Sequence, residues 1–166
     1  MTAAPPTAPE REVYLAYPTV AATAAGRLIG RLLDSVPVRL GPATLSQWLF
    51  ALPLAPPGAA VFLWQKAFGT RYRLTDRRLV AEAVLTGREL DAADLADVAA
   101  VDVAPAPGGR FFDAGDVHLR NAAGDRLLTA AALPHATNFA GRVEELLAAR
   151  RAVHAARATI ARRRAA

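Results

Sequence analysis

The 166-residue chain contains no cysteine. This excludes a disulfide framework, a thiolate zinc site and a cysteine nucleophile. Lysine is almost missing as well: Lys66 is the only one, and the remaining basic side chains are all Arg. The three histidines, His118, His135 and His154, lie far apart. No Ser/His/Asp arrangement and no paired carboxylates suited to acid–base work are found. Gly108-Gly109 is not followed by Lys-Ser/Thr, so it reads as a turn and not as a phosphate loop. The nearest approach to a ligand set is Asp113, Asp116 and His118, which reads as a solvated strand edge with no second His nearby. The expectation is a protein that is not an enzyme, with no catalytic, metal-binding or cofactor-binding residue and no cofactor.

Charge is present but unevenly distributed. The net +5 divides into basic ends and an acidic middle. Residues 1–80 carry nine basic and four acidic side chains, residues 81–149 five and eleven, and residues 150–166 six and none. Basic residues beside an apolar segment favour the anionic cytoplasmic leaflet, at roughly 1 kcal/mol each near the surface.

Residues 1–11 are rich in Pro, Ala and Thr and are expected to be disordered. They lack a charged stretch leading into an apolar run, so they do not read as a signal peptide. Residues 12–17 (EVYLAY) suggest a short strand ending at Pro18. Residues 21–33 (AATAAGRLIGRLL) predict a helix with Leu28, Ile29, Leu32 and Leu33 on one side and Arg27 and Arg31 on the other. Such a helix suits either a membrane surface or the protein core.

Residues 45–64 (LSQWLFALPLAPPGAAVFLW) carry no charge over twenty positions, about the length needed to cross a bilayer. Pro53, Pro56, Pro57 and Gly58 fall at the middle, where a continuous helix is least tolerant. Trp48 and Trp64 sit near the two ends, as interface-seeking aromatics do. These features predict an apolar hairpin that dips into the membrane and returns. A kinked single span and a soluble pair of apolar helices are the alternatives. The membrane-contacting residues are then Trp48, Leu49, Phe50, Leu52, Leu54, Val61, Phe62, Leu63 and Trp64. The anionic-surface contacts are Arg27, Arg31, Arg39, Lys66, Arg71 and Arg73.

From Thr70 the apolar period becomes two, with strands expected around 70–75, 79–85, 88–90, 98–103, 115–120 and 126–133. Turns are expected at Thr86-Gly87, at 91–94, at 104–109 and at 121–125. Arg78 is expected to pair with Asp94 or Asp97. Phe111-Phe112 reads either as a plug of the sheet interior or as an exposed loop tip. A helix follows from about Thr137, with Asn138 as N-cap and Glu144-Glu145 favoured by the helix dipole. Its apolar stripe is Phe139, Val143, Leu146, Leu147 and Val153, and residues 149–166 form a basic helical tail.

The stretches YRLTDRRL (72–79), TGRELDAADLADVAAVDV (86–103), FFDAGDVHLRNAAGD (111–125) and ALPHATNFAGRVEELL (132–147) resemble, in order and spacing, the bacterial pleckstrin-homology-like (PH-like) family of membrane proteins. Tyr72, Leu74, Thr75, Arg78, Leu79, Gly115, Val117 and Gly124 occupy the positions of that pattern. The resemblance implies an α+β fold: an antiparallel PH-like barrel or sandwich over residues 70–148, capped by a C-terminal helix. Residues 12–69 would be the preceding membrane-associated segment with its apolar hairpin. The chain departs from the family in its short, Pro-broken membrane segment and its acidic core.

Together these readings predict a non-enzymatic, membrane-anchored PH-like module acting as a scaffold, accessory or assembly subunit of a bacterial membrane complex. It would sit at the inner (cytoplasmic) membrane with the domain on the cytoplasmic side. Its partners would be the lipid bilayer and other subunits, with no nucleic acid and no small-molecule substrate. The alternative is a peripheral module that binds anionic lipid or nucleic acid through its Arg clusters.

Overall fold

The computed structural model describes residues 10–36, 38–108 and 110–165. The disorder expected for residues 1–9 lies outside that range. Strand β1 (Glu12–Ala16) is followed by a single 3-10 turn, Val20–Ala22, and helix α1 (Ala24–Leu33). A minimal hairpin, β2 (Arg39–Leu40) and β3 (Ala43–Thr44), leads directly into helix α2 (Leu45–Phe68). Six strands follow: β4 (Thr70–Thr75), β5 (Arg78–Ala83), β6 (Glu89–Asp94), β7 (Ala100–Pro105), β8 (Ala114–Arg120) and β9 (Arg126–Pro134). Helix α3 (Ala136–Ala165) closes the chain.

Alternating side chains build two antiparallel sheets. One is ordered β1-β4-β5-β6 and the other β7-β8-β9. The strand at residues 12–16 was legible but its place was not: it pairs with β4, Leu15 opposite Arg73 and Ala16 opposite Tyr72. β6 and β9 approach each other without sharing a ladder, so the sheets face one another and do not close into a barrel. Tyr72, Leu74, Leu79, Val117, Leu119 and Leu133 line the space between them. The first half of α3 covers that core with Phe139, Ala140, Val143 and Leu147. Each fully buried Leu of this set contributes about 1.5–3 kcal/mol of apolar transfer energy.

Tight turns hold the strands in register. Thr75, fully buried, accepts hydrogen bonds at Oγ1 from the amides of Arg77 and Arg78 and donates to the Arg78 carbonyl. One side chain thus satisfies the turn between β4 and β5. Gly87 closes the next turn at φ 64°, a conformation that favours glycine.

Several local expectations change. Residues 91–94 do not turn: β6 runs through them, because Asp91, Ala92, Ala93 and Asp94 all find partners on β5. In α3 the helix starts at Ala136, so Asn138 lies inside it and is not the cap. No acidic residue occupies its first turn, and Glu144-Glu145 come two turns later, beyond the reach of the helix-terminal charge. Val153 is half exposed and lies beyond the covered stripe. Arg78 bonds Glu10 and Glu89, not Asp94 or Asp97.

The largest change concerns residues 45–64. They form one continuous helix, with Pro53, Pro56 and Pro57 inside it, in place of the expected hairpin. A proline ring fits helical φ, and its cost is the lost N–H bond and the crowding of the carbonyl four residues earlier. Strong fixation at both ends of α2, described next, opposes a break at the middle.

Candidate functional site

Helix α2 is tied down at each end. At its start, Thr44 accepts from the Gln47 amide while the Gln47 side chain accepts from the Thr44 amide, a reciprocal cap. Ser46, fully buried, donates from Oγ to the Leu33 carbonyl at 2.5 Å, joining α2 to the end of α1. At the far end, Gln65 Nε2 donates to the carbonyls of Pro18 (3.2 Å) and Thr19 (2.8 Å). The start of α2 therefore sits beside the end of α1, and the end of α2 beside the segment that precedes α1. The two run antiparallel. Among described α2 residues, only Ser46 and Gln65 are buried.

α1 is held in turn by close backbone approaches. Thr23 caps it, accepting from the Gly26 amide at 2.9 Å. A Cβ at Gly30 would lie 2.1 Å from the Gly108 carbonyl oxygen, so α1 docks onto the loop after β7 through a surface that only glycine permits. Ile29 and Leu33 are buried as expected, but Leu28 is exposed and Leu32 half-buried, so the apolar side is narrower than the sequence suggested.

Of the nine residues expected to contact membrane, Trp48, Leu49, Leu52, Leu63 and Trp64 are well exposed; Leu52 is 83% exposed. Phe62, 48% exposed, and the half-buried Leu54 line a cleft between α2 and α1. Phe50 and Val61 are half-buried. α2 is the one helix among the described residues long and apolar enough to cross a membrane.

The six expected anionic-surface residues separate. Arg31 and Arg39 are exposed. Arg27 Nη1 donates to the Ala22 carbonyl at 3.0 Å, satisfying the turn before α1. Arg71 and Arg73 converge on Glu82 of β5: Arg71 Nε reaches Oε2 at 3.0 Å and Arg73 Nε reaches Oε1 at 2.6 Å. Glu82 is 4% exposed. Burial alone would raise its pKa, but hydrogen bonds and charge from Arg73 and Arg71 outweigh it and hold the carboxyl below its ordinary value. The same contact pushes Arg71 further up. Lys66 lies 4.7 Å from the centre of the Tyr17 ring and 5.8 Å from that of Phe62, within cation–π reach.

In the basic tail, Arg150 Nη1 donates to the carbonyls of Asp76 and Arg77, while Arg162, Arg163 and Arg164 are exposed at the end of α3. Phe111 and Phe112 neither plug the sheets nor form a free tip. They pack edge to face, 5.1 Å between centres, and line the cleft beside α1. Asp113, Asp116 and His118 are dispersed. Asp113 pairs with His135, Asp116 accepts from the Ala132 amide, and His118 bonds Thr129. Among the described residues no cluster is suited to a metal.

Sequence reasoning missed three features. Glu82 is the lone acid in an apolar strand (LVAEAVL), a signal that a buried charge needed partners two residues apart on its neighbour. Ser46 and Gln65 are polar residues at the two ends of the apolar run, the natural positions for fastening it. The cleft, of about 610 Å³, has no sequence signal because it lies between elements distant in the chain.

The residues of the family pattern each have a structural task. The Tyr72 hydroxyl accepts from the Ala131 amide at 3.0 Å and so links the two sheets. Thr75 closes a turn, and Leu74, Leu79 and Val117 are fully buried. Gly115 leaves space for Ala136, whose Cβ would lie 2.8 Å from an added one, and Gly124 turns at φ 88°. A family model described as the bacterial PH domain matches residues 23–150. Neither a curated protein nor a solved structure matches the chain. That match spans α1, α2, both sheets from β4 onward and the covering half of α3, and the chain belongs to the bacterial PH domain family.

Proposed function

We propose that this PH-like domain is a non-enzymatic membrane-attached module, with α2 as its anchor and the folded domain presented to other subunits of a bacterial membrane complex. The observation that carries the reading is the outward side of α2: Trp48, Leu49, Leu52, Leu63 and Trp64 form an uncharged, exposed stripe with a Trp near each end. Contiguous exposed apolar surface of this kind marks an interaction site, and Trp favours the boundary between lipid and water. Lys66, Arg31 and Arg39 are positioned near the same helical pair and favour an anionic, cytoplasmic leaflet. The second half of α3 is exposed along Val153 and Ile160 and ends in Arg162, Arg163 and Arg164; it is the part of the chain best placed to reach a neighbouring subunit.

The alternative, a peripheral module held by Arg clusters alone, is less favoured because Arg27, Arg71, Arg73, Arg78 and Arg150 are engaged within the fold. The test is sequential washing of native membranes. The protein is expected to resist high salt and alkaline carbonate and to be released by mild detergent, in company with its complex. Leu52→Glu with Leu63→Glu, on the outward side of α2, is expected to move it to the soluble fraction while leaving the domain folded by circular dichroism. Release of the wild type by salt alone would overturn the anchor and favour the Arg-mediated reading.

A further inference from the structure

The inward side of α2 is not simply packed against the domain. Between α2, α1 and the Phe111-Phe112 loop lies the cleft of about 610 Å³, within the roughly 300–1,000 Å³ range of ligand pockets. Its walls are apolar, built in part by Ile29, Leu33, Leu54, Gly58 and Phe112. Among the described residues, Lys66 is the only charged one on its wall, and none that lines it is acidic. Beside Lys66 a narrow crevice shares Tyr17, Pro18 and Phe62 with the cleft and is also lined by Gln65. Gln65 is 8% exposed. Its Nε2 is committed to two backbone carbonyls, which fixes the amide orientation, and its Oε1 has no donor among the described residues.

The arrangement therefore presents an apolar cleft, a cation at one mouth and a buried acceptor next to that cation. We propose that the cleft binds an acyl chain of an anionic phospholipid with a hydroxyl-bearing headgroup, its phosphate on Lys66 and a headgroup hydroxyl donating to Gln65 Oε1 as the narrow crevice beside it, of about 10 Å³, opens. Each part of the ligand answers one feature. The chain fills the apolar walls, and the phosphate meets the only charge. The hydroxyl supplies the donor that a buried amide oxygen requires. A fatty-acid carboxylate offers no donor, and a choline headgroup offers neither donor nor net charge. Phosphatidylglycerol has all three. The inference does not rest on the anchor's apolar stripe, none of whose residues lines the cleft.

Two substitutions separate cleft from fold and from anchor. A Cβ added at Gly58 meets nothing within 4 Å, so Gly58→Leu fills the cleft without a backbone clash. Lys66→Gln removes the charge and keeps the stem. The full chain, purified in mild detergent, is titrated with dioleoyl-phosphatidylglycerol and with dioleoyl-phosphatidylcholine and read by native mass spectrometry. The wild type is expected to hold one phosphatidylglycerol, at least tenfold more tightly than phosphatidylcholine. Gly58→Leu is expected to lose that lipid at least tenfold while still pelleting with membranes. Lys66→Gln is expected to bring the two lipids within about twofold of each other. Equal binding of phosphatidylglycerol by wild type and Gly58→Leu would overturn the proposal, as would a lipid-free dimer of the wild type, which would show a second copy covering the cleft. Loss of membrane pelleting by the wild type would instead defeat the anchor and leave the titration to decide the cleft.

Discussion

Replacing Glu82 by Gln tests both the fold and the charge assignment. The Glu82 carboxylate is buried between two guanidiniums that are each about one-quarter to one-third exposed. Hydrogen bonds to a charged group contribute about 1.5–3 kcal/mol each. Exposed ion pairs contribute about 0–1 kcal/mol because water competes for them. Here the acid is dry and the bases are partly wet, so the loss lies between those limits. Glu82→Gln is expected to cost about 2 kcal/mol, since the amide keeps the shape and some bonding but not the charge. In a chain of this size that corresponds to a fall in Tm of roughly 4–8 °C. The test is thermal or urea unfolding of the two proteins in the same detergent. Unchanged stability would refute the claim that this triad holds β4 to β5.

The pH dependence carries a definite sign. The folded carboxyl has a lowered pKa, so its stabilisation is complete above the unfolded value of about 4.3. It is lost as pH falls from there through the lower folded value, where the unfolded chain binds the extra proton first. The stability gap between wild type and Glu82→Gln is expected to close over that acidic window and to stay constant from pH 5 to 7. The same substitution releases Arg71 and Arg73. If both reach an anionic surface, each adds about 1 kcal/mol, so affinity for phosphatidylglycerol vesicles rises about thirtyfold in low salt. A destabilised variant with unchanged vesicle affinity would mean that these two arginines are structural and do not face lipid.

Two glycines on the paired helices are expected to respond oppositely to alanine. Gly30→Ala drives a Cβ to 2.1 Å from the Gly108 carbonyl, which cannot yield cheaply, and is expected to destabilise by about 1–3 kcal/mol in urea titration. Gly58→Ala meets open space and is expected to stabilise by about 0.8–1 kcal/mol through helix propensity. Tyr72→Phe removes the acceptor for the Ala131 amide in the joint between the sheets and is expected to cost about 1–3 kcal/mol, seen as a lower urea midpoint at unchanged slope.

Much of the domain was legible in the residues. Period-two alternation marked the strands that carry Tyr72 and Leu74, and Val117 and Leu119, and all four side chains lie in the core, because one face of each strand is buried and the other is not. Turn chemistry was equally informative where one residue decides the backbone, as at Gly87 and Gly124. What failed were choices between partners. Arg78 has acids on several sides, and only the pairing of β5 with β6 and the course of residue 10 bring Glu89 and Glu10 to it. The partner of Arg71 and Arg73 went unseen for the same reason: Glu82 stands nine or more positions away in the chain and becomes adjacent only through strand register.

The apolar run shows where local reasoning reaches its limit. Three prolines argue for a break, because each removes a hydrogen bond and crowds the preceding turn. A hairpin, however, would separate Ser46 and Gln65 from their present partners. Ser46 and Gln65 stand nineteen positions apart, about 28 Å along a helix, and each bonds a backbone carbonyl flanking α1. Only a continuous helix keeps both fastenings at once. For the anchor proposed above, that same geometry constrains how α2 would meet a bilayer. Fixed at both ends along α1, it lies beside the domain and does not extend away from it. A full crossing would carry Arg27, Arg31 and Asp34 into the hydrocarbon, where charged groups are costly. Lying within the interface buries only the outward stripe of Trp48, Leu52 and Leu63, and it leaves those charges at the water boundary. The prolines then become tolerable too, since carbonyls released near the interface find water that the bilayer centre does not supply.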